Sequence, residues 1–225
     1  LLDAVAGADV GAPGLPVPPP QPFRTLAATP PGRLRIAWTT RTTAGDAVHP
    51  ECTAAVEQTV KLLESLGHVL VEDAPRFDWE TYLERTHIIW TAFTVAFADA
   101  LAAATGRQPG PDTLEAVTLA CYEDGRRYSA MDLVNAMAYG NVVSRAVGQF
   151  FEGIDVLVSP TVARPPVPLG EIDQDRAGLS AMEWTRQVFS YCPFTLLFTT
   201  TGQPAISLPL HWTADGLPVG VQFAA

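Results

Sequence analysis

Lysine is almost missing from this chain: Lys61 is the only one in 225 residues. Positive charge is scarce altogether, with 14 Lys and Arg against 24 Asp and Glu, a net charge of −10 and a pI near 4.7. A surface of that sign repels polyanions, which argues against nucleic acid or an acidic membrane surface as a partner. Cysteine is rare too. Cys52, Cys121 and Cys192 are odd in number, widely spaced and without a Cys-x-x-Cys pair, which suits small buried thiols in a reducing compartment and not a disulfide or zinc framework. There is no uninterrupted apolar run of membrane-spanning length and no basic residue ahead of the first apolar segment, so a cytoplasmic protein is the default.

Motifs that announce chemistry are missing as well. No Gly-x-Ser-x-Gly elbow, Gly-x-Gly-x-x-Gly turn or Walker pattern occurs. Ser207, in Pro-Ala-Ile-Ser-Leu-Pro, falls in an expected strand with no glycine bracket and reads as structural. A Ser/Lys mechanism needs a desolvated lysine, whereas Lys61 lies four residues after Glu57, the spacing of a solvated helical ion pair. His49, His68, His87 and His211 share no metal-ligand spacing, and Asp78, Asp99, Glu123 and Asp124 read as capping or solvated carboxylates, with a paired-carboxylate site assembled by folding as the alternative. Neither a metal nor a cofactor is expected.

What is present is an alternation of strands and helices. After Leu1–Ala6, which reads as a helix end stopped by Gly7, the proline-dense run 8–33 is expected to be an extended connector. Leu34–Trp38 reads as a strand, Pro50–Leu66 as a helix with Val56, Val60 and Leu63 on one face, and His68–Glu72 as a second strand, the unit of a parallel sheet. A long helix over 78–104, carrying Tyr82, Ile89, Phe93, Phe97 and Leu101, is expected to be buried on more than one side. Asp112 is the expected cap of a helix to Tyr122, and Ser129 with Asp132 forms a capping box opening a helix to about Phe150. Ile154–Val158 reads as a strand leading into a second proline-rich stretch. Ala205–Leu210 and Val219–Phe223 flank Asp215-Gly216 as a hairpin, with Pro209 marking an edge or a bulge. The fold class is α/β. Both termini read as cut, which would leave unpaired edges at Leu34–Trp38 and Ile206–Leu210.

Three blocks carry a resemblance. Leu1-Leu2-Asp3-Ala4-Val5-Ala6-Gly7, Asp155-Val156-Leu157-Val158-Ser159-Pro160-Thr161, and Pro193-Phe194-Thr195 running through Thr201-Gly202-Gln203-Pro204-Ala205-Ile206-Ser207-Leu208-Pro209 to Gly216–Gln222 resemble amidase-signature enzymes downstream of their signature region. Order and spacing match across nearly the whole chain, and the last block is the most specific. The stretches around Gly106, Pro160 and Gln203 are similar to bacterial amidases of the 6-aminohexanoate cyclic dimer hydrolase kind.

The resemblance implies a mixed sheet flanked by helices and a Ser, cis-Ser, Lys triad that attacks a carboxamide to form an acyl-enzyme. It places that triad before the position of Leu1, so residues 1–225 would be the C-terminal portion of a single amidase-signature domain, with no catalytic residue to carry over. Such a portion would shape the pocket for a small-molecule amide, with Trp90 and the loop residues Thr199, Thr200 and Gln203 as candidate substrate-binding groups. An aromatic can form an apolar wall, and threonine hydroxyls can orient a polar group. Plain core packing is the ordinary alternative for Trp90. Thr199 stands where family members commonly carry Asn, so any hydrogen bond from that Asn would be altered or lost. Gly202 and Pro204 read as turn-setting residues. A homodimer is left open as a partner. Two other readings stand beside the hydrolase: a catalytically inactive ligand-binding domain derived from an amidase, and an amidotransferase A-type subunit, for which the acidic charge gives no support.

Overall fold

The structure is a computed structural model that describes residues 1–11 and 17–225; residues 12–16, inside the proline-rich connector, lie outside them. It divides into two units, Leu1–Leu34 and Arg35–Ala225. In the first, α1 (Leu2–Val5) precedes α2 (Phe23–Ala27), a short helix where an extended connector was expected. Its cause is long-range. The Asp3 carboxylate accepts hydrogen bonds from the Phe23 and Arg24 amides at 2.6 and 3.0 Å, a cap supplied from the other helix, while Pro22 enters with φ −53°.

The second unit is built on a five-stranded mixed sheet in the order β2-β1-β3-β5-β4. Its strands are β1 (Arg35–Trp38), β2 (Val69–Glu72), β3 (Val156–Pro160), β4 (Ala205–Trp212) and β5 (Pro218–Ala224). The first three pair parallel and the hairpin joins antiparallel, which is the expected α/β class. Contrary to expectation, β1 is paired on both sides and offers no free edge; β4 lies at the margin, with its register shifting between Pro209 and His211 where the proline cannot donate. Alternation splits the sheet residues between two faces. Ala37, Leu157 and Ala224 share one cluster with Tyr82, Leu83, Val143, Val147, Leu197 and Phe198 of the helical layer. Helix α3 (Pro50–Ser65), none of whose residues joins that cluster, packs against β2, β3, β4 and β5.

The helical layer comprises α4 (Trp79–Thr105), α5 (Ala116–Gly125), α6 (Ala130–Phe151), α7 (Ala181–Tyr191) and α8 (Thr195–Thr201). Asp78 caps α4 through Thr81, and Gly106 ends it at φ 72°. By length and composition α4 could cross a membrane, yet it packs against α5, α6 and α7. It is buried on more than one side, as expected, but not at all of the apolar positions that suggested it. Tyr82, Leu83 and Ile88 are enclosed, but Phe93, Phe97 and Leu101 are 63, 69 and 47% exposed. Asp112 caps nothing: Thr113 ties Gly110 and Gln108 into a turn, so α5 begins only at Ala116, after Glu115. The Ser129–Asp132 capping box forms as expected, and a second one, Ser180–Glu183, opens α7.

At the crossing of α4 and α5, a Cβ on Gly125 would lie 2.4 Å from the Thr91 carbonyl oxygen. Gly125→Ala is therefore expected to lower stability by about 1–3 kcal/mol, the usual cost of overpacking. Ser129→Ala, which only loses a cap, is expected to cost about 1 kcal/mol. Urea denaturation midpoints check both, and a loss from Gly125→Ala below that from Ser129→Ala would contradict the tight crossing.

Candidate functional site

A pocket of about 490 Å³ opens between α4, α6, α7 and α8. Residues at helical spacing on α4, Tyr82, Arg85, Ile89 and Phe93, form one wall together with Trp90. Met137, Tyr139, Gly140, Asn141 and Ser144 of α6 face them, and Phe189, Leu196, Thr199 and Thr200 close the remainder. Trp90 and Phe189 stack with ring centroids 5.2 Å apart and planes tilted by 32°. The body is apolar and aromatic, with a few hydroxyls, one carboxamide and one guanidinium; no carboxylate and no lysine lines it.

Of the candidate residues, Trp90, Thr199 and Thr200 are brought together in this pocket. Gln203 is not among its walls; its side-chain oxygen instead accepts from the Thr201 hydroxyl. Thr199, Thr200 and Thr201 also differ from the expected loop, because they form the last turn of α8, which Gly202 ends at φ 83° with its N–H bonded to the Phe198 carbonyl. Tyr82 fixes that turn. Its hydroxyl donates to the Leu196 carbonyl at 3.2 Å and meets the Thr200 hydroxyl at 2.6 Å, so with the phenol proton directed to the carbonyl the threonine is the donor between them. Burial pushes the Tyr82 phenol up, which keeps that proton in place at neutral pH.

Elsewhere, one constellation imitates a nucleophile, base and acid. His87 Nδ1 is 2.8 Å from Thr185 Oγ1 and Nε2 is 2.9 Å from Asp124 Oδ2. Both His87 and Thr185 are 1% exposed, so no substrate carbonyl reaches the hydroxyl; the network, joined by Tyr128 and Arg127 on Asp124, ties α4 to α5 and α7. His49 and His211 are also tied into the scaffold. His49 accepts from the Glu51 amide at the start of α3, and His211 bridges β4 to Glu51 and Gln58. Ser207 pairs with Thr161 at 2.6 Å beside Gly220. Lys61 is exposed on α3, away from the pocket walls, and among the described residues no ion pair joins it to Glu57. No group of three or more His, Cys, Asp or Glu among the described residues could hold a metal ion.

Comparison with known proteins supplies the context for this pocket. The amidase family model matches residues 1–225. The chain belongs to the amidase family. It is 30% identical over 212 residues to the putative amidase AmiA2 of Mycobacterium tuberculosis (strain ATCC 25618 / H37Rv), covering 91% of this chain and 40% of that protein. It is 29% identical over 238 residues to the 6-aminohexanoate-cyclic-dimer hydrolase of Paenarthrobacter ureafaciens, covering 100% of this chain and 47% of that one. A solved structure of 6-aminohexanoate cyclic dimer hydrolase matches with a TM-score of 0.91 at 25% identity, over 100% of this chain and 48% of that one. A bacterial aryl acylamidase structure, at 19% identity and a TM-score of 0.78, shares the fold. This amidase chain thus spans less than half of the length of the curated relatives it matches, 40 and 47% of the two named here.

The thiols of this amidase chain are poor nucleophiles. Burial, reinforced by Glu51 and by Asp124 respectively, pushes Cys52 and Cys121 up to about 11, and burial raises Cys192. At pH 8 a thiol near 11 is roughly one part in a thousand thiolate. Iodoacetamide at pH 8 is expected to leave Cys52 and Cys121 unmodified in the folded protein and to label both after denaturation, as read by peptide mass. Rapid labelling of either in the native protein would contradict the burial.

Proposed function

We propose that the protein containing this chain is an amide-bond hydrolase acting through an acyl-enzyme, and that these residues supply its scaffold and the pocket for the non-reacting part of the substrate. The observation that carries the reading is amidase family membership over all 225 residues, in a chain whose α4–α6–α8 pocket gathers Trp90, Thr199 and Thr200. In this reading residues 1–225 are the C-terminal portion of one amidase-signature domain. The nucleophile and its base belong to the portion before it, which fits a chain whose only lysine is exposed on α3. Acyl transfer then proceeds by attack of that nucleophile on the carboxamide carbon, loss of the amine as the acyl-enzyme forms, and hydrolysis by water. The pocket contributes by fixing the remote part of the substrate, so that binding energy holds the carbonyl in the attack geometry.

The reading extends to a cytoplasmic protein of bacterial origin, as its named relatives are bacterial, with a small-molecule amide as its partner and a homodimer left open. The test is the full-length gene product assayed against simple aryl and aliphatic carboxamides. Turnover is expected, and Trp90→Ala is expected to raise KM about tenfold, the loss of one stacked aromatic contact of roughly 1.4 kcal/mol, with a smaller effect on kcat. Ligand binding without turnover would instead favour an inactive binding domain.

A further inference from the structure

The pocket contains one formal charge, and it is positive. Arg85 follows Tyr82 by three residues and precedes Ile89 by four, so α4 presents its half-buried side chain on the same wall as these apolar groups. A guanidinium bordering an apolar cavity is normally matched by a carboxylate, yet among the described residues Arg85 has no hydrogen bond and no ion pair. Asp132 acts on it electrostatically without a hydrogen bond between the two; the Ser129 amide at 2.8 Å and the Ser129 hydroxyl at 2.6 Å both bond to Asp132 Oδ2. The donors of Arg85 are thus left for whatever enters.

We propose that the pocket selects amides whose remote part is an aryl or alkyl body ending in a carboxylate, with Arg85 as the specificity-determining group that pairs with it. The inference rests on the amide-hydrolase reading for the term substrate; the charge preference of the pocket stands on the geometry alone. A planar guanidinium meets a carboxylate through two parallel N–H···O bonds, and an apolar surround strengthens the pair relative to water. The aromatic walls, Trp90 packed on Phe189 together with Tyr82, suit a flat ring between the reacting end and that charge. An ammonium in the same place would meet Arg85 without any lining carboxylate to offset the repulsion.

The test uses the full-length protein and three matched probes: benzamide, 4-carboxybenzamide and 4-(aminomethyl)benzamide. Ammonia release gives kcat/KM, and calorimetry gives binding. The expected order is carboxylate, then neutral, then ammonium, with the carboxylate favoured over the neutral amide by roughly tenfold or more, the usual worth of a charge-assisted bond. Arg85→Met should bring that ratio towards one, and Arg85→Lys should restore part of it. Binding in this order without hydrolysis of any probe would support the pocket's charge selectivity and defeat the hydrolase reading. Hydrolysis with no carboxylate preference, or a preference that survives Arg85→Met, would overturn the selectivity proposal and leave the hydrolase reading intact.

Discussion

The pairing of β1 with β3 is the constraint from which the rest of the large unit follows. Ile36, Ala37 and Trp38 align with Val156, Leu157 and Val158, and the Arg35 amide donates to the Asp155 carboxylate at 2.7 Å across 120 residues of sequence. Two parallel strands this close in space need a crossover, and the intervening chain provides a very long one. Part of it returns at once as α3 and β2. The remainder, α4 to α6, forms a helical layer whose inner residues join Ala37 and Leu157 in one core cluster. Closing such a loop costs entropy that grows only slowly with length, so a long insertion can be held by a short, well-packed parallel pair.

The pocket arises from that arrangement. Helix α4 approaches α6 and α7 with Trp90 against Phe189, and the Tyr82 hydroxyl holds α8 through Leu196 and Thr200. Gly140 on α6 lies beside α8, its Cβ position 3.6 Å from the Thr200 methyl, an ordinary contact distance. The cavity wall is therefore made of helices fixed by the core, and Thr199 and Thr200 belong to a capped helical turn and not to a mobile loop. The buried His87 network secures the opposite side of α4, which leaves the pocket-facing side free to carry aromatic groups and Arg85.

Much of this was legible in the sequence where the signal is local. Short apolar runs located the sheet strands, with β3 set two residues later than read, and the Ser129–Asp132 spacing located the start of α6. The elements that escaped depend on partners far away in sequence. Helix α2 is capped by Asp3, about twenty residues before it, and α8 is short, threonine-rich and held by Tyr82, so its composition suggested a loop. The exposed Phe93, Phe97 and Leu101 show the converse, an apolar face whose burial periodicity alone could not decide. At the site, the sequence reading named Trp90, Thr199 and Thr200, which lie on the pocket walls, and did not name Arg85, although its spacing from Tyr82 and Ile89 puts all three on one helical face. Gln203 was drawn in by proximity in sequence to Thr200, but the chain turns at Gly202 and carries it away from the cavity walls.

The most direct measurement of the central claim is a crystal structure of the full-length protein with an uncleavable ketone analogue of an aryl amide. The account predicts the aryl group between Trp90 and the α6 wall, with the carbonyl directed out of the pocket towards residues preceding this chain. An aryl group bound elsewhere, or a pocket filled by the protein's own side chains, would contradict it.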